Sequence, residues 1–262
     1  MLDLERVNIT FNKNTVNERK ALENVNLHLD EGDFVTVIGS NGAGKSTMLN
    51  AIAGAYEIDS GKITLDGTDI SFMKEYKRAN RIGHLFQDPL KGTAPDMTIE
   101  ENLGLAYLRG KKRGMAGGIK KSDEAFFTET LRSLGLGLED RLKTQVRLLS
   151  GGQRQALTLL MATIVTPRLL LLDEHTAALD PKTAKQVMTI TQEIVREHNI
   201  TTLMITHNIK DALSYGNKTI VMSQGHIVLE LSGEERTNMT VERLMELYST
   251  TANDSFTDKM IL

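Results

Sequence analysis

"FVTVIGSNGAGKST", residues 34–47, is the stretch that decides the fold. Its apolar start, 34–38, reads as a compact buried strand, and a helical stretch follows at 45–55. Between them the residues match G-x-x-x-x-G-K-[ST], the spacing of a phosphate loop. Gly39, Gly42 and Gly44 let the backbone fold around a polyphosphate with its N–H groups pointing inward, and the helix N-terminus adds positive potential. Lys45 is placed to reach the β- and γ-phosphates, and the hydroxyl of Ser46 to ligate Mg2+. Ser40, Asn41, Ala43 and Thr47 complete the loop. An ordinary glycine-rich turn explains one or two glycines, not five such residues together after a strand. The stretch predicts a nucleoside triphosphate site.

Upstream, alternation through Val7, Ile9 and Phe11, then Val25, Leu27 and Leu29, predicts strands over residues 1–38. "KITLDG" (62–67) and "RIGHLF" (81–86) add two more. After 151 the pattern becomes helix, strand, helix, strand, which predicts a parallel sheet with crossover helices. "KTIVMS" and "HIVLEL" read as closing strands joined by a Gln-Gly turn. The intervening residues, roughly 88–160, carry helical periodicity and form an insertion in an α/β core. Within them "RGKKRGMAGGIKK" (109–121) holds six basic residues, a pattern that usually marks a solvated loop and alternatively a surface for a membrane partner. The final "STTANDSFTDKMIL" (249–262) shows no pattern.

"LLLLDEHTAALD" (169–180) supplies the second half of the predicted site. Four leucines make a buried strand with Asp173 at its C-terminal edge, where α/β sheets bind ligands. Asp173 can hold Mg2+, and Glu174 can polarise the attacking water as general base. Alone, the pair also fits a core strand followed by a helix-capping acid.

"LSGGQ" (149–153) raises a different question. Ser150 and Gln153 fit a capping box at the start of a helix. Gly151 and Gly152 do not need to be glycine for that, and each costs roughly 1 kcal/mol relative to alanine. Side-chain-free positions at a helix start suit close approach of an anion to the backbone. One nucleotide already has its loop at 39–47, so this second surface points to a nucleotide presented by another copy of the chain.

Composition narrows the setting. The chain has 262 residues, 31 Lys+Arg against 34 Asp+Glu, and 40% hydrophobic residues, enough for a full core. A net charge of −3 gives no overall pull toward nucleic acid, and no nucleic-acid partner is expected. The absence of cysteine excludes disulfides, thiolate metal sites and cysteine catalysis. The most apolar window is broken by Pro167 and Arg168, short of the roughly 20 apolar residues a spanning helix needs.

The phosphate loop, "LSGGQ" and "LLLLDE", in that order and at these distances, resemble the nucleotide-binding subunit of an ABC transporter over roughly residues 2–235. The resemblance implies an α/β P-loop ABC ATPase fold: a mainly parallel sheet core, an antiparallel β-subdomain and the helical insertion, in one domain over 1–248 with a tail at 249–262. It implies that ATP and Mg2+ are bound, and that two copies pack head to tail with each ATP between the phosphate loop of one and the "LSGGQ" of the other. Gln87 matches a glutamine that senses Mg2+ and the nucleophilic water. His207 matches a switch histidine contacting the γ-phosphate, and Asp180 a loop that communicates between the two sites. Phe11 stands where the family places an aromatic on adenine, and it equally fits plain core. His175 departs from the proline usual there, and a surface or loop effect is expected of it.

The same resemblance implies a peripheral subunit at the cytoplasmic face of the membrane, driving a separate integral membrane permease served by an extracytoplasmic substrate-binding protein. The free-standing chain, and the lack of a glycine-glutamate element before "LSGGQ", favour import. The wider wording is similar to a subgroup paired with branched-chain-amino-acid-type permeases, some members of which handle tryptophan or other aromatic amino acids. The alternative is a soluble ABC ATPase of the iron–sulfur assembly type, whose partner is soluble.

Overall fold

The computed structural model describes residues 1–109 and 119–252. The chain divides into two compact units, Met1–Arg78 with the chain from Thr201 onward, and Ala79–Ile200. The first unit opens with β1 (Leu2–Phe11), β2 (Arg19–Leu29), β3 (Phe34–Gly39), α1 (Lys45–Ala53), β4 (Ser60–Leu65), the short β5 (Thr68–Asp69) and α2 (Glu75–Arg78). An antiparallel sheet in the order β2-β1-β4-β5 forms from these strands. The alternation seen in the sequence is the reason: Leu2, Leu4, Val7 and Ile9 of β1 and Val25, Leu27 and Leu29 of β2 are buried while the residues between them are not. Phe11, at the end of β1, is only half-buried. Arg78 is buried and donates to four carbonyls, Met73 from Nε, Ala51 and Ile52 from Nη1, and Ser71 from Nη2. It thereby holds the C-terminal end of α1, whose last carbonyls have no helical partner.

The second unit contains β6 (Ile82–Leu85), α3 (Ile99–Tyr107), α4 (Lys121–Arg132), α5 (Gly151–Thr163), β7 (Leu169–Asp173) and α6 (Pro181–Glu197). β6 and β7 run parallel, with Ile82 opposite Leu169 and Leu85 opposite Leu172. The four leucines of β7 are fully buried, as their uninterrupted apolar run requires. α3 begins with a capping box: Thr98 accepts from the Glu101 amide and Glu101 accepts from the Thr98 amide. His84 of β6 packs against Phe86 with ring centroids 4.2 Å apart, and burial pushes its pKa down to about 4. Most of the basic stretch 109–121 and the tail beyond 252 lie outside the described residues.

The first unit is completed by β8 (Thr201–Ile205), α7 (Ile209–Ser214), β9 (Lys218–Ser223), β10 (His226–Ser232), α8 (Gly233–Thr237) and α9 (Val241–Ala252). β3 lies between β8 and β9 and is parallel to both, which buries all six of its residues. β10 returns antiparallel to β9 through Gln224 and Gly225, both with positive φ, +47° and +83°. That is the geometry a two-residue hairpin needs, and the Gln-Gly turn of the sequence supplies it. α9 runs to Ala252, and its Leu244 and Tyr248 pack into a cluster with Ile38, Val221 and Leu231. No helix among the described residues is long and apolar enough to cross a membrane.

Candidate nucleotide site

β3 delivers the chain into the phosphate loop at Gly39, where a Cβ would lie 2.1 Å from the Met222 carbonyl oxygen of β9. No other residue fits there. At the far end Gly44 has φ +102° and starts α1 without a side-chain cap. Lys45 is buried and folds back over the loop, its Nζ donating to the carbonyls of Gly39 at 2.7 Å and Ser40 at 3.1 Å. Ala43 is buried, its carbonyl accepting from the amide of Gly225 at 2.9 Å, so the β9–β10 turn supports the loop from behind. Asn41, Gly42 and Ser46 face solvent, and Ser40 and Thr47 are half-buried. Arg19, at the start of β2, donates from Nη2 to the Gly42 carbonyl at 2.7 Å. It stands opposite Phe11 in the β1–β2 register. Phe11 in turn meets Tyr56 edge-on, with centroids 5.3 Å apart and planes at 80°. Phe11 is therefore an accessible aromatic at a strand end, not a core side chain.

In the second unit, Asp173 ends β7 and Glu174 follows with φ +45°. Such a conformation is strained for a residue with a Cβ, and strain of this kind concentrates at functional sites. The amide of Gln87, two residues beyond β6, donates to Oε2 of Glu174 at 3.3 Å. The parallel pairing of β6 with β7 is what brings these two predicted catalytic side chains together.

His175 overturns the expectation of a surface or loop effect. It is 3% exposed, and burial lowers its pKa to about 4, so the ring is neutral. Its Nε2 lies 3.3 Å from the Thr191 hydroxyl of α6. Asp180, beyond it, caps α6 by accepting from the Thr183 amide at 3.1 Å, and hydrogen bonding to the Thr183 side chain, then to its amide, holds the carboxyl below the usual range.

Ser150 and Gln153 form the predicted capping box at the start of α5, with bonds of 3.3 and 3.2 Å between each side chain and the other's amide. Arg154 donates to the carbonyls of Val146, Arg147 and Leu149, tying the preceding turn to the helix. The two glycines separate in role. A Cβ on Gly152 would lie 2.2 Å from Cγ2 of Thr183, so the start of α6 excludes any side chain there. Gly151 is exposed, and a Cβ on it would meet only Leu179 at 3.3 Å. Packing within the chain thus explains the glycine that anion approach alone was expected to explain.

In the first unit, His207 follows β8 and is half-buried beside α7, which Asn208 caps by accepting from the Asp211 amide. Burial pushes the Asp211 carboxyl up, and the nearby His207 partly offsets this.

The sequence pattern of the family described as ABC transporter matches residues 22–177. The chain belongs to that family. It is an ATP-binding cassette that hydrolyses ATP, with the α/β fold of that class. It is 44% identical over 248 residues to a tyrosine transport ATP-binding protein of Clostridioides difficile, covering 95% of this chain and 98% of that one. It is 32% identical to a phosphonates import ATP-binding protein of Lactococcus lactis, with the same coverage. Among solved structures, a dimeric ATP-binding cassette in a post-hydrolysis state bound to ADP and inorganic phosphate matches with a TM-score of 0.76. That match has 30% identity and covers 88% of this chain and 98% of the other. The ADP conformation of another ABC transporter cassette gives 0.77 at 26% identity, covering 95% and 98%.

Arg19, Thr183 and Thr191 were missed in the sequence. Each acts on a residue far along the chain, and nothing in its local pattern signals that partner.

Proposed function

We propose that this cassette powers import of an aromatic amino acid through a separate membrane permease. The observation that carries the proposal is the 44% identity, nearly end to end, with a tyrosine transport ATP-binding protein. The chain works at the cytoplasmic face of the membrane, as one domain over 1–248 with its helical subdomain at 88–160. Two copies close head to tail around ATP, and an extracytoplasmic binding protein delivers the solute.

The side chains divide the chemistry. Lys45 and the amides of the phosphate loop neutralise the β- and γ-phosphates, Phe11 stacks on adenine, and His207 contacts the γ-phosphate. Glu174 accepts the proton of the attacking water as the bond between the γ-phosphorus and its bridging oxygen breaks, leaving ADP and inorganic phosphate. Gln87 holds that carboxylate and the water. Ser150, exposed Gly151, Gly152 and Gln153 face the nucleotide of the second copy, and Asp180 links the two sites. No group of three or more His, Cys, Asp or Glu among the described residues forms a metal cage. One carboxylate and one hydroxyl suit Mg2+, which keeps its waters and takes the remaining oxygens from phosphate. Ser46 and Asp173 would hold it, with Gln87 beside it, and it would supply charge to the phosphate oxygens.

The test is a pull-down of tagged Glu174→Gln from detergent-solubilised native membranes, with partners identified by mass spectrometry. Recovery of a polytopic permease is expected, and reconstituted ATPase activity should then rise with tyrosine or tryptophan and its binding protein. Recovery of soluble assembly proteins alone would place the cassette in the iron–sulfur class instead.

A further inference from the structure

His175 directly follows the carboxylate assigned as general base, and its ring is buried against α6. A buried polar ring is costly unless hydrogen-bonded. Its Nε2 lies 3.3 Å from the hydroxyl oxygen of Thr191, and Thr191 is itself fully buried. That hydroxyl has a single proton, which it donates to the Val187 carbonyl one turn earlier at 2.8 Å. The oxygen therefore accepts from His175, and the imidazole carries its proton on Nε2. With both groups out of water, nothing competes for this bond.

The other end of the same loop is held by the same helix, since Asp180 caps α6 through the Thr183 amide. Residues 174–180 are thus fastened to α6 at its start and near its middle. Glu174 keeps its strained φ of +45° within that fastened loop, and strained conformations persist only where the surroundings over-determine them. Its carboxylate meets Gln87 at 3.3 Å. α6 also carries Thr183 against Gly152, so one helix supports both the start of α5 and the loop that bears Glu174.

We propose that His175 is a positioning residue for hydrolysis: its bond to Thr191 anchors the backbone after Glu174 to α6 and so aims the Glu174 carboxylate. The proposal rests on Glu174 being the general base. Its test uses the purified full-length chain, measuring kcat, KM, ATP affinity and thermal unfolding for a small set of variants. Thr191→Val keeps the shape and removes the acceptor, whereas Thr191→Ser retains it. His175→Leu removes the donor, whereas His175→Gln retains an N–H.

Thr191→Val and His175→Leu should each lower kcat about fivefold, the scale of one lost hydrogen bond, with ATP affinity unchanged. Thr191→Ser and His175→Gln should stay within about twofold of the parent, and the Thr191→Val/His175→Leu double variant should be no slower than the slower single one. A folded Thr191→Val protein with parental kcat overturns the proposal, as does a loss of ATP affinity that matches the loss of kcat. Glu174→Gln, run alongside, separates the two claims. If it abolishes turnover while Thr191→Val does not slow it, only the positioning role fails. If Glu174→Gln retains parental kcat, the general-base assignment fails and the positioning role falls with it.

Discussion

The starts of α1 and α5 both carry glycine, and they do so for different reasons. α1 starts at Gly44 with no side-chain cap, and a buried lysine folded against the loop carbonyls adds charge beside it. α5 starts at Ser150 with a complete capping box, and Gly152 is there because Thr183 occupies the space of a side chain. On our proposal the first offers backbone donors and charge to an anion. The second has one leading amide already satisfied by its own serine, and of its two glycines Gly151 is exposed and Gly152 buried. A glycine-rich helix start is therefore two things, a ligand cradle or a packing necessity, and the neighbours decide which.

Substitutions can break that comparison. Lys45→Ala should weaken ATP binding by about a hundredfold or more, since a charged hydrogen-bonding partner of the phosphates is lost. Calorimetry showing unchanged affinity would remove the phosphate-loop assignment. An effect of the next size separates the two units by pH. His84 and His175 both lie in the second unit, and burial holds both near pKa 4 against an ordinary 6.5. Between those values the unfolded chain binds protons that the folded chain does not, so stability falls as pH drops from 6.5 toward 4. Each histidine contributes at most about 3 kcal/mol to that fall. Urea unfolding at pH 7 and pH 4.5 should show the loss, and His175→Gln should reduce it; an identical pH dependence in that variant would contradict the buried neutral ring.

Gly152→Ala should cost about 1–3 kcal/mol through overpacking, and trimming Thr183→Ser should restore part of it. If Gly152→Ala unfolds like the parent in urea yet loses ATPase activity, the glycine serves the ligand and not the helix contact. The smallest expected effect is Ser150→Ala, about 1 kcal/mol for a lost N-cap. No loss of stability there would mean that α5 is held by packing alone.

Much of the proposed site could be nominated along the chain because its signals are local. The phosphate loop lies between a buried strand and a helix, and Asp173 and Glu174 end an apolar run, so spacing alone assigns them. The Gln-Gly hairpin and the Ser150–Gln153 box were readable for the same reason: each closes within a few residues. His175 was not. Its sequence neighbours are loop-like, and its hydrogen-bond partner Thr191 lies sixteen positions away on α6. Arg19 reaches Gly42 across twenty-three positions, and a charged residue early in a strand gives no sign of it. The packing of α9 likewise depends on Leu244 and Tyr248 meeting Ile38, Val221 and Leu231 from distant strands.

By itself, the sequence determined the class of fold and the ATPase family, and it nominated the residues of the proposed site, since periodicity and motif spacing are properties of consecutive residues. Tertiary structure alone decided why Gly152 is glycine, where His175 resides and what meets Glu174. Those outcomes depend on van der Waals exclusion and hydrogen bonding between side chains that only folding makes neighbours.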